Sequence, residues 1–267
     1  MKRLFTILMI FMLLCSTGCT DMKKDTLKVT FYKAGKADAI LLETDESAVL
    51  IDTGLDKNAK ELAAQISSDH LDALIITHYD KDHVGGADAV IKAKDIDQVY
   101  VTYQSKESDN IDEFEQALAR KKLSAQTVED KVSFVLDGVS YTILGAGTYE
   151  KDVSNNSSLI VTVEYMGQTL LFTGDAEEER LAELTAMGIQ ADVLKVPYHG
   201  HYQKGLAAFL KSTSPSYAVI TDSNDEPAQA EMTKTLQLLE EAGANVYETR
   251  YGTVTVKVSA AGITVKQ

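Results

Sequence analysis

Two cysteines and three prolines are all that this 267-residue chain holds of either residue. Both cysteines, Cys15 and Cys19, sit close to the N-terminus. The body of the chain therefore offers no disulfide framework, no thiolate metal site and no cysteine nucleophile. The scarce prolines form no hinge, and no linker, low-complexity tract or short repeat interrupts the sequence. Basic charge is scarce as well: 26 lysines and arginines face 40 aspartates and glutamates, for a net charge of −14. A domain built to hold long nucleic acid shows a basic footprint. This composition disfavours such a partner, although bound dications would reverse the sign locally. Long apolar runs are missing too, because no stretch reaches the ~20 residues that a membrane span needs.

The longest apolar run, Leu4 to Leu14, follows the basic start Met1-Lys2-Arg3. That pattern fits the apolar core of a secretory leader. Ser16-Thr17-Gly18-Cys19 resembles a bacterial lipoprotein processing site, with cleavage before Cys19 and acylation of its thiol; Ser16 stands where leucine is usual. The other reading is an ordinary secreted protein cleaved nearby. We expect a leader over 1–18, a polar tether over 19–26 and one α/β domain over 27–267. The protein would then be exported and anchored to the membrane through lipidated Cys19, since two acyl chains hold stably where one does not. The roughly 240 residues that remain suffice for one domain with a large core. Loss of Lys2 and Arg3 with the leader makes the remainder more acidic still.

One stretch organises that domain. The apolar run Ala73-Leu74-Ile75-Ile76 reads as a buried strand. Thr77-His78-Tyr79-Asp80-Lys81-Asp82-His83-Val84-Gly85-Gly86 then carries two imidazoles and two nearby carboxylates, the glycines allow a sharp turn, and Ala87 to Ala93 reads as a helix. A loop held between two rigid elements is a good place to present metal ligands, and imidazole with carboxylate suits zinc or a similar divalent ion. A charged surface turn is the plain alternative. Against it, Phe172-Thr173-Gly174-Asp175 and Val196-Pro197-Tyr198-His199-Gly200 repeat the layout, each an apolar strand pattern ending on a candidate ligand.

Strand patterns dominate both halves, from Leu27–Tyr32 to Ile263–Val265. Helical patterns lie between them at Asn58–Ile66, Ile111–Lys121, Glu177–Met187 and Ala228–Ala242. The polar stretch Thr102 to Asn110 is placed to overhang the site. His70 matches no motif position and reads as a surface or packing residue.

These segments carry a resemblance. In order, Ala34-Gly35-Lys36-Ala37-Asp38-Ala39, Ile51-Asp52-Thr53-Gly54, the His78–His83 loop, Asn156-Ser157-Ser158-Leu159, Thr173-Gly174-Asp175 and Lys195-Val196-Pro197-Tyr198-His199-Gly200 resemble the metallo-β-lactamase fold superfamily. Within it they resemble the hydrolase domain of the competence protein ComEC and its stand-alone relatives. The resemblance implies an αββα sandwich: two mixed β-sheets face to face, helices outside, two divalent metal ions at one edge. His78 and Asp80 would hold the first metal, and Asp82, His83 and His199 the second. Asp175 would bridge both. The ions would be zinc, with manganese open as an alternative and the first site only partly filled, since no third histidine appears and Asp80 replaces an imidazole. Asp38 and Asp52 would tie down loops or orient ligands. Asn156 or Ser157 would offer an oxygen to metal or substrate, or bond the backbone of their own loop.

A hydroxide on such ions is a nucleophile near neutral pH, and Asp82, Tyr198 and His201 are the candidate catalytic residues. Tyr198 stands where the branch usually has histidine. His201 either restores that imidazole or is simply exposed. The resulting expectation is a surface-anchored metal-dependent hydrolase, a phosphodiesterase acting on a small or envelope-linked phosphoester. A nuclease is the next reading and a lactamase a distant one. A non-catalytic binding lipoprotein on the same fold is the rival from another class.

Overall fold

All four residues of Ala73–Ile76 are buried, which a strand achieves only when both of its faces are covered. The structure, a computed structural model, describes residues 25–103, 106–147, 154–226 and 228–267, and shows how that cover is built. The expected leader over 1–18, Cys19 and most of the tether lie outside the described residues.

The first half lays down β1 (Thr26–Phe31), β2 (Ile40–Glu43), β3 (Ala48–Ile51), β4 (His70–Ile76), β5 (Asp95–Val101) and β6 (Ala125–Thr127). The second half follows with β7 (Lys131–Leu136), β8 (Val139–Leu144), β9 (Ile160–Tyr165), β10 (Gln168–Phe172), β11 (Val193–Lys195), β12 (Tyr217–Ile220) and β13 (Asn245–Glu248). Finally β14 (Val254–Ser259) and β15 (Gly262–Lys266) return to the first sheet, whose order is β15-β14-β1-β2-β3-β4-β5-β6. The second sheet runs β13-β12-β11-β10-β9-β8-β7. Each sheet is antiparallel on one side and parallel on the other, the parallel halves being β3 to β6 and β10 to β13.

Parallel neighbours need crossover connections, and helices supply them. On the first sheet these are α1 (Ala59–Gln65), α2 (Lys81–Val84), α3 (Ala87–Ala93) and α4 (Asp109–Lys121); on the second, α5 (Glu178–Met187), α6 (Leu206–Thr213) and α7 (Gln229–Glu241). Strand alternation sorts the side chains into layers. Ile75, Phe31, Val161 and Phe172 share the core between the sheets. Leu74 and Ile76 turn outward to Val90, Ile91 and Phe114 under the first helices. Leu171, Leu194 and Ile220 do the same against Leu181, Phe209 and Leu239. The result is the expected four-layer αββα sandwich.

This topology places the chemistry. In a parallel half every strand points the same way, so the loops after β4, β10, β11 and β12 emerge together at the carboxyl ends, where open α/β sheets collect ligands. His78 and Asp80, the short α2 that carries Asp82 and His83, and Asp175, His199 and Thr221 follow those four strands.

Gly85 and Gly86 do not serve as a left-handed turn: their φ values are −57° and −92°. They are needed for close approach instead. A Cβ on Gly86 would stand 2.3 Å from the carbonyl oxygen of Thr53. Gly86→Ala must push the ligand loop off the β3 turn, and we expect a loss of about 1–3 kcal/mol of stability, read by thermal denaturation.

Candidate metal centre

Three fully buried histidines converge where those loops meet. The His78 and His83 rings are 4.0 Å apart, and those of His83 and His199 are 5.3 Å apart. Local hydrogen bonds fix each ring. His83 Nδ1 lies 2.7 Å from Asp52 Oδ2, so this imidazole donates to a carboxylate that also takes the Thr77 backbone N–H at 2.7 Å. His199 Nδ1 lies 2.8 Å from the Thr221 carbonyl, which can only accept. Thr77 Oγ1 donates to Asp52 Oδ2 at 2.7 Å and is left free to accept from His78 Nδ1 at 3.1 Å. All three Nδ1 atoms thus carry protons, and each ring turns its Nε2 into the shared space, where a dication would take the place of any proton on it. Those Nε2 atoms are buried and have no hydrogen-bond partner among the described residues.

Carboxylates face the same space. Asp175 Oδ2 lies 3.3 Å from His83 Nε2 and 3.0 Å from His199 Nε2, and Asp82 Oδ2 lies 3.5 Å from His199 Nε2. Asp82, His83, Asp175 and His199 each place a ligand atom within 4.8 Å of the others. His78 and Asp80 stand beside this group without joining it: His78 Nε2 is 3.9 Å from Asp80 Oδ2. Buried imidazole Nε2 atoms beside two carboxylates form a nitrogen and oxygen donor set that fits a divalent ion such as zinc or manganese.

The backbone is bent to make this possible. Tyr198 and His199 both take left-handed conformations, with φ of 50° and 51°. Such residues cost on the order of 1–3 kcal/mol each and persist where surrounding structure holds them. Here Thr221 holds the His199 ring and Gly200, at φ 83°, completes the turn.

Charge in the pocket is finely matched. Burial pushes His78 down to about 3, with His83 adding to the effect, so its ring stays neutral. Burial alone would lower His83 and His199 too. Asp175 and Asp52 outweigh it at His83, and Asp175 and Asp82 outweigh it at His199, so both are raised. Burial alone would raise Asp82 and Asp175, but the neighbouring imidazoles hold both carboxyls far below their usual range. The sign for stability follows. Two imidazoles raised in the fold stabilise the metal-free protein fully below ~6.5, and that contribution fades as pH rises through their raised values. A dication displaces those protons. We therefore expect a chelator to lower the melting temperature more at about pH 8 than at about pH 6, by differential scanning fluorimetry.

Two lysines complete the centre. Lys195 is fully buried, with its ammonium 2.6 Å from Asp38 Oδ2, 2.8 Å from the Gly174 carbonyl and 3.3 Å from Asp175 Oδ1. Asp38 also accepts from Thr221 Oγ1 at 2.6 Å, which ties the lysine to the support of His199. Lys36 is partly exposed and places its ammonium 3.1 Å from Asp82 Oδ2 and 5.9 Å from the centre of the Tyr198 ring. Neither lysine stands out as a site residue in the sequence. The signal for Lys195 was a single charge inside the apolar strand Val193-Leu194-Lys195-Val196, which must be paired if the strand is covered on both faces.

The other anticipated residues are placed as follows. Burial, and then Glu177, raise the Tyr198 phenol, so it is a hydrogen-bond donor at neutral pH. His201 packs on Tyr198, their rings 4.7 Å apart, and its Nδ1 is held 2.6 Å from Glu231 Oε2. Asn156 is not turned toward the imidazoles: its Oδ1 accepts from the backbone N–H groups of Glu177 and Arg180 and so caps the start of α5. Asp52 is the carboxylate that orients the His83 imidazole. His70 is exposed and pairs with Asp97 at 3.3 Å. From the 102–110 stretch, Lys106 and Ser108 reach a cleft of about 960 Å³ whose wall includes Asp80, Asp82 and Lys36.

The model of the Metallo-beta-lactamase superfamily matches residues 32–220, which contain every one of these candidate ligands. The chain belongs to the metallo-beta-lactamase superfamily. Among curated proteins it is similar to ComE operon protein 3 of Bacillus subtilis, 28% identical over 181 residues, covering 67% of this chain and 23% of that protein. It is also similar to the competence protein ComA of Neisseria gonorrhoeae, 27% identical over 198 residues, covering 72% of this chain and 26% of that one. The chain thus spans about a quarter of the length of these relatives. Among solved structures, the metallo-beta-lactamase fold protein YhfI from Bacillus subtilis superposes with a TM-score of 0.61 at 16% identity, covering 84% of this chain and 96% of that chain, which shows a shared fold. These comparisons show the superfamily, and the curated relatives mark a similarity to competence proteins of the ComEC kind.

Proposed function

We propose that this superfamily member is a metal-dependent phosphodiesterase acting on a small or envelope-linked phosphoester. The observation that carries the reading is the convergence of the His83 and His199 Nε2 atoms with the Asp82 and Asp175 carboxylates. Those four side chains would hold a divalent ion, with His78 and Asp80 standing beside it. Such an ion supplies Lewis acidity, lowering the pKa of a water from ~16 to ~7 and polarising a substrate oxygen.

The chain's own residues do the rest. Asp52 and Thr221 hold the imidazoles with Nε2 forward. Lys36 brings a positive charge to the mouth beside Asp82, where an anionic substrate oxygen would be drawn. Tyr198 is a protonated donor at the rim. The cleft volume lies in the range that accommodates a small ligand. Export and anchoring through Cys19 are supported by the basic start, the apolar run and the small residues before that cysteine.

A nuclease is the second reading, favoured by Lys36, Lys57, Lys81 and Lys106 gathering around the cleft of an acidic protein. Hydrolysis of bis(p-nitrophenyl) phosphate, single-stranded DNA and nitrocefin by the metal-loaded protein separates the readings. The phosphodiesterase reading requires the first to be cleaved well above the other two. DNA as the best substrate moves the assignment to a nuclease, and nitrocefin as the best substrate sinks both.

A further inference from the structure

Lys106 occupies a position that the ligand pattern does not anticipate. Its ammonium lies 2.5 Å from Asp80 Oδ1, and Ser154 Oγ donates to the same oxygen at 2.8 Å. Asp80 is the carboxylate on which a second ion would depend. A dication arriving there must displace an ammonium already paired with it. The neighbouring donors are meagre. His78 offers one neutral lone pair, and Asp175 has its Oδ1 turned toward Lys195, leaving Oδ2 for the imidazoles. Where most of the superfamily would add a third histidine, Ser158 places its hydroxyl oxygen 3.4 Å from His78 Nδ1 and takes the Asp175 backbone N–H at 3.1 Å.

The ion pair itself opposes a second ion. Asp80 and Lys106 already answer each other's charge, and the side chains that reach this half of the centre, His78 and Ser158, are neutral donors, so a dication entering there must displace the ammonium without gaining a second free carboxylate.

We propose that the centre holds one dication tightly, between Asp82, His83, Asp175 and His199, and that the Lys106 ammonium competes with a second for Asp80. This rests on the metal-dependent reading above and departs from a two-ion centre. Substrate would then meet one ion flanked by two lysines, Lys36 beside Asp82 and Lys106 beside Asp80. A phosphoester carries the negative oxygens that such a mixed cation set would receive.

Elemental mass spectrometry on the purified full chain, dialysed against zinc or manganese and then freed of unbound ion, is the test. We expect about one equivalent in the wild type and about two in Lys106→Met, whose side chain is half exposed and so leaves the core undisturbed. Asp80→Asn should retain about one equivalent. Two equivalents in the wild type, or one in Lys106→Met, overturns the role given to Lys106 while leaving a metal-dependent enzyme standing. A loss of the ion in Asp80→Asn contradicts the placement in the other half of the centre. Absence of any bound ion overturns this inference together with the reading beneath it.

Discussion

His199→Ala abolishes hydrolysis while the domain stays folded: we expect kcat/KM to fall at least about a thousand-fold, about 4 kcal/mol of transition-state stabilisation. The ring supplies one of the four converging ligand atoms and is held to the Thr221 carbonyl by its other nitrogen. Its loss removes a donor without opening the sheet core, because His199 lies on the loop that follows β11. Asp52→Asn provides a graded control. It weakens the 2.7 Å contact that orients His83 but keeps every ligand, so the expected loss is about 10–100-fold in activity or metal affinity. Equal effects of the two substitutions would remove the distinction between ligand and support. A binding lipoprotein on the same fold would show neither effect on ligand affinity.

Lys195→Met unfolds the protein at a markedly lower temperature. The lysine is fully buried and its ammonium lies against Asp38, Asp175 and the Gly174 carbonyl. Burying such a charge is costly in itself, and replacing a whole buried ion pair by apolar side chains is often neutral. Removing only the cation is different, because the buried Asp38 carboxyl then loses its 2.6 Å ammonium partner and keeps the Thr221 hydroxyl. The expected cost is about 3–5 kcal/mol. At about 2–4 °C per kcal/mol for a domain of this size, the melting temperature should drop by about 10 °C. A metal ion bound beside Asp175 does not replace the lost partner of Asp38, so the deficit should persist in metal-loaded protein. An unchanged melting curve would show that Lys195 is not the tie between the two loops.

The fold was legible wherever burial wrote an unambiguous pattern. Ala73–Ile76 and Leu170–Phe172 are continuous apolar runs because their strands are covered on both faces. Ala87–Ala93 appears in the structure with the expected bounds. Leu206–Thr213 went unread as a helix because it is short and starts at Gly205 without a side-chain cap. The exposed edge strand Ala125–Thr127 carries only three residues and no alternation long enough to recognise.

The candidate ligands were legible because each follows a strand end and matches a motif. The supports around them were not. Lys195, Asp38 and Thr221 come from three distant segments, and only the pairing of the sheets brings them together. Lys106 belongs to a polar loop whose composition says that it is exposed, not that it reaches Asp80. The expected set of His78 and Asp80 for one ion and Asp82, His83 and His199 for another was a pattern of residue types. The structure adds that the second group converges, whereas Asp80 is engaged by an ammonium.

The central claim is that the converging side chains bind a divalent ion and that hydrolysis depends on it. Its most direct test is to strip the purified protein of metal and titrate it with manganese or zinc while following bis(p-nitrophenyl) phosphate cleavage. We predict no turnover without metal, a rise that saturates as the ion binds, and no rise in His199→Ala. A protein that takes up the ion and leaves the phosphodiester intact, or one that cleaves it equally well in His199→Ala, would contradict the account.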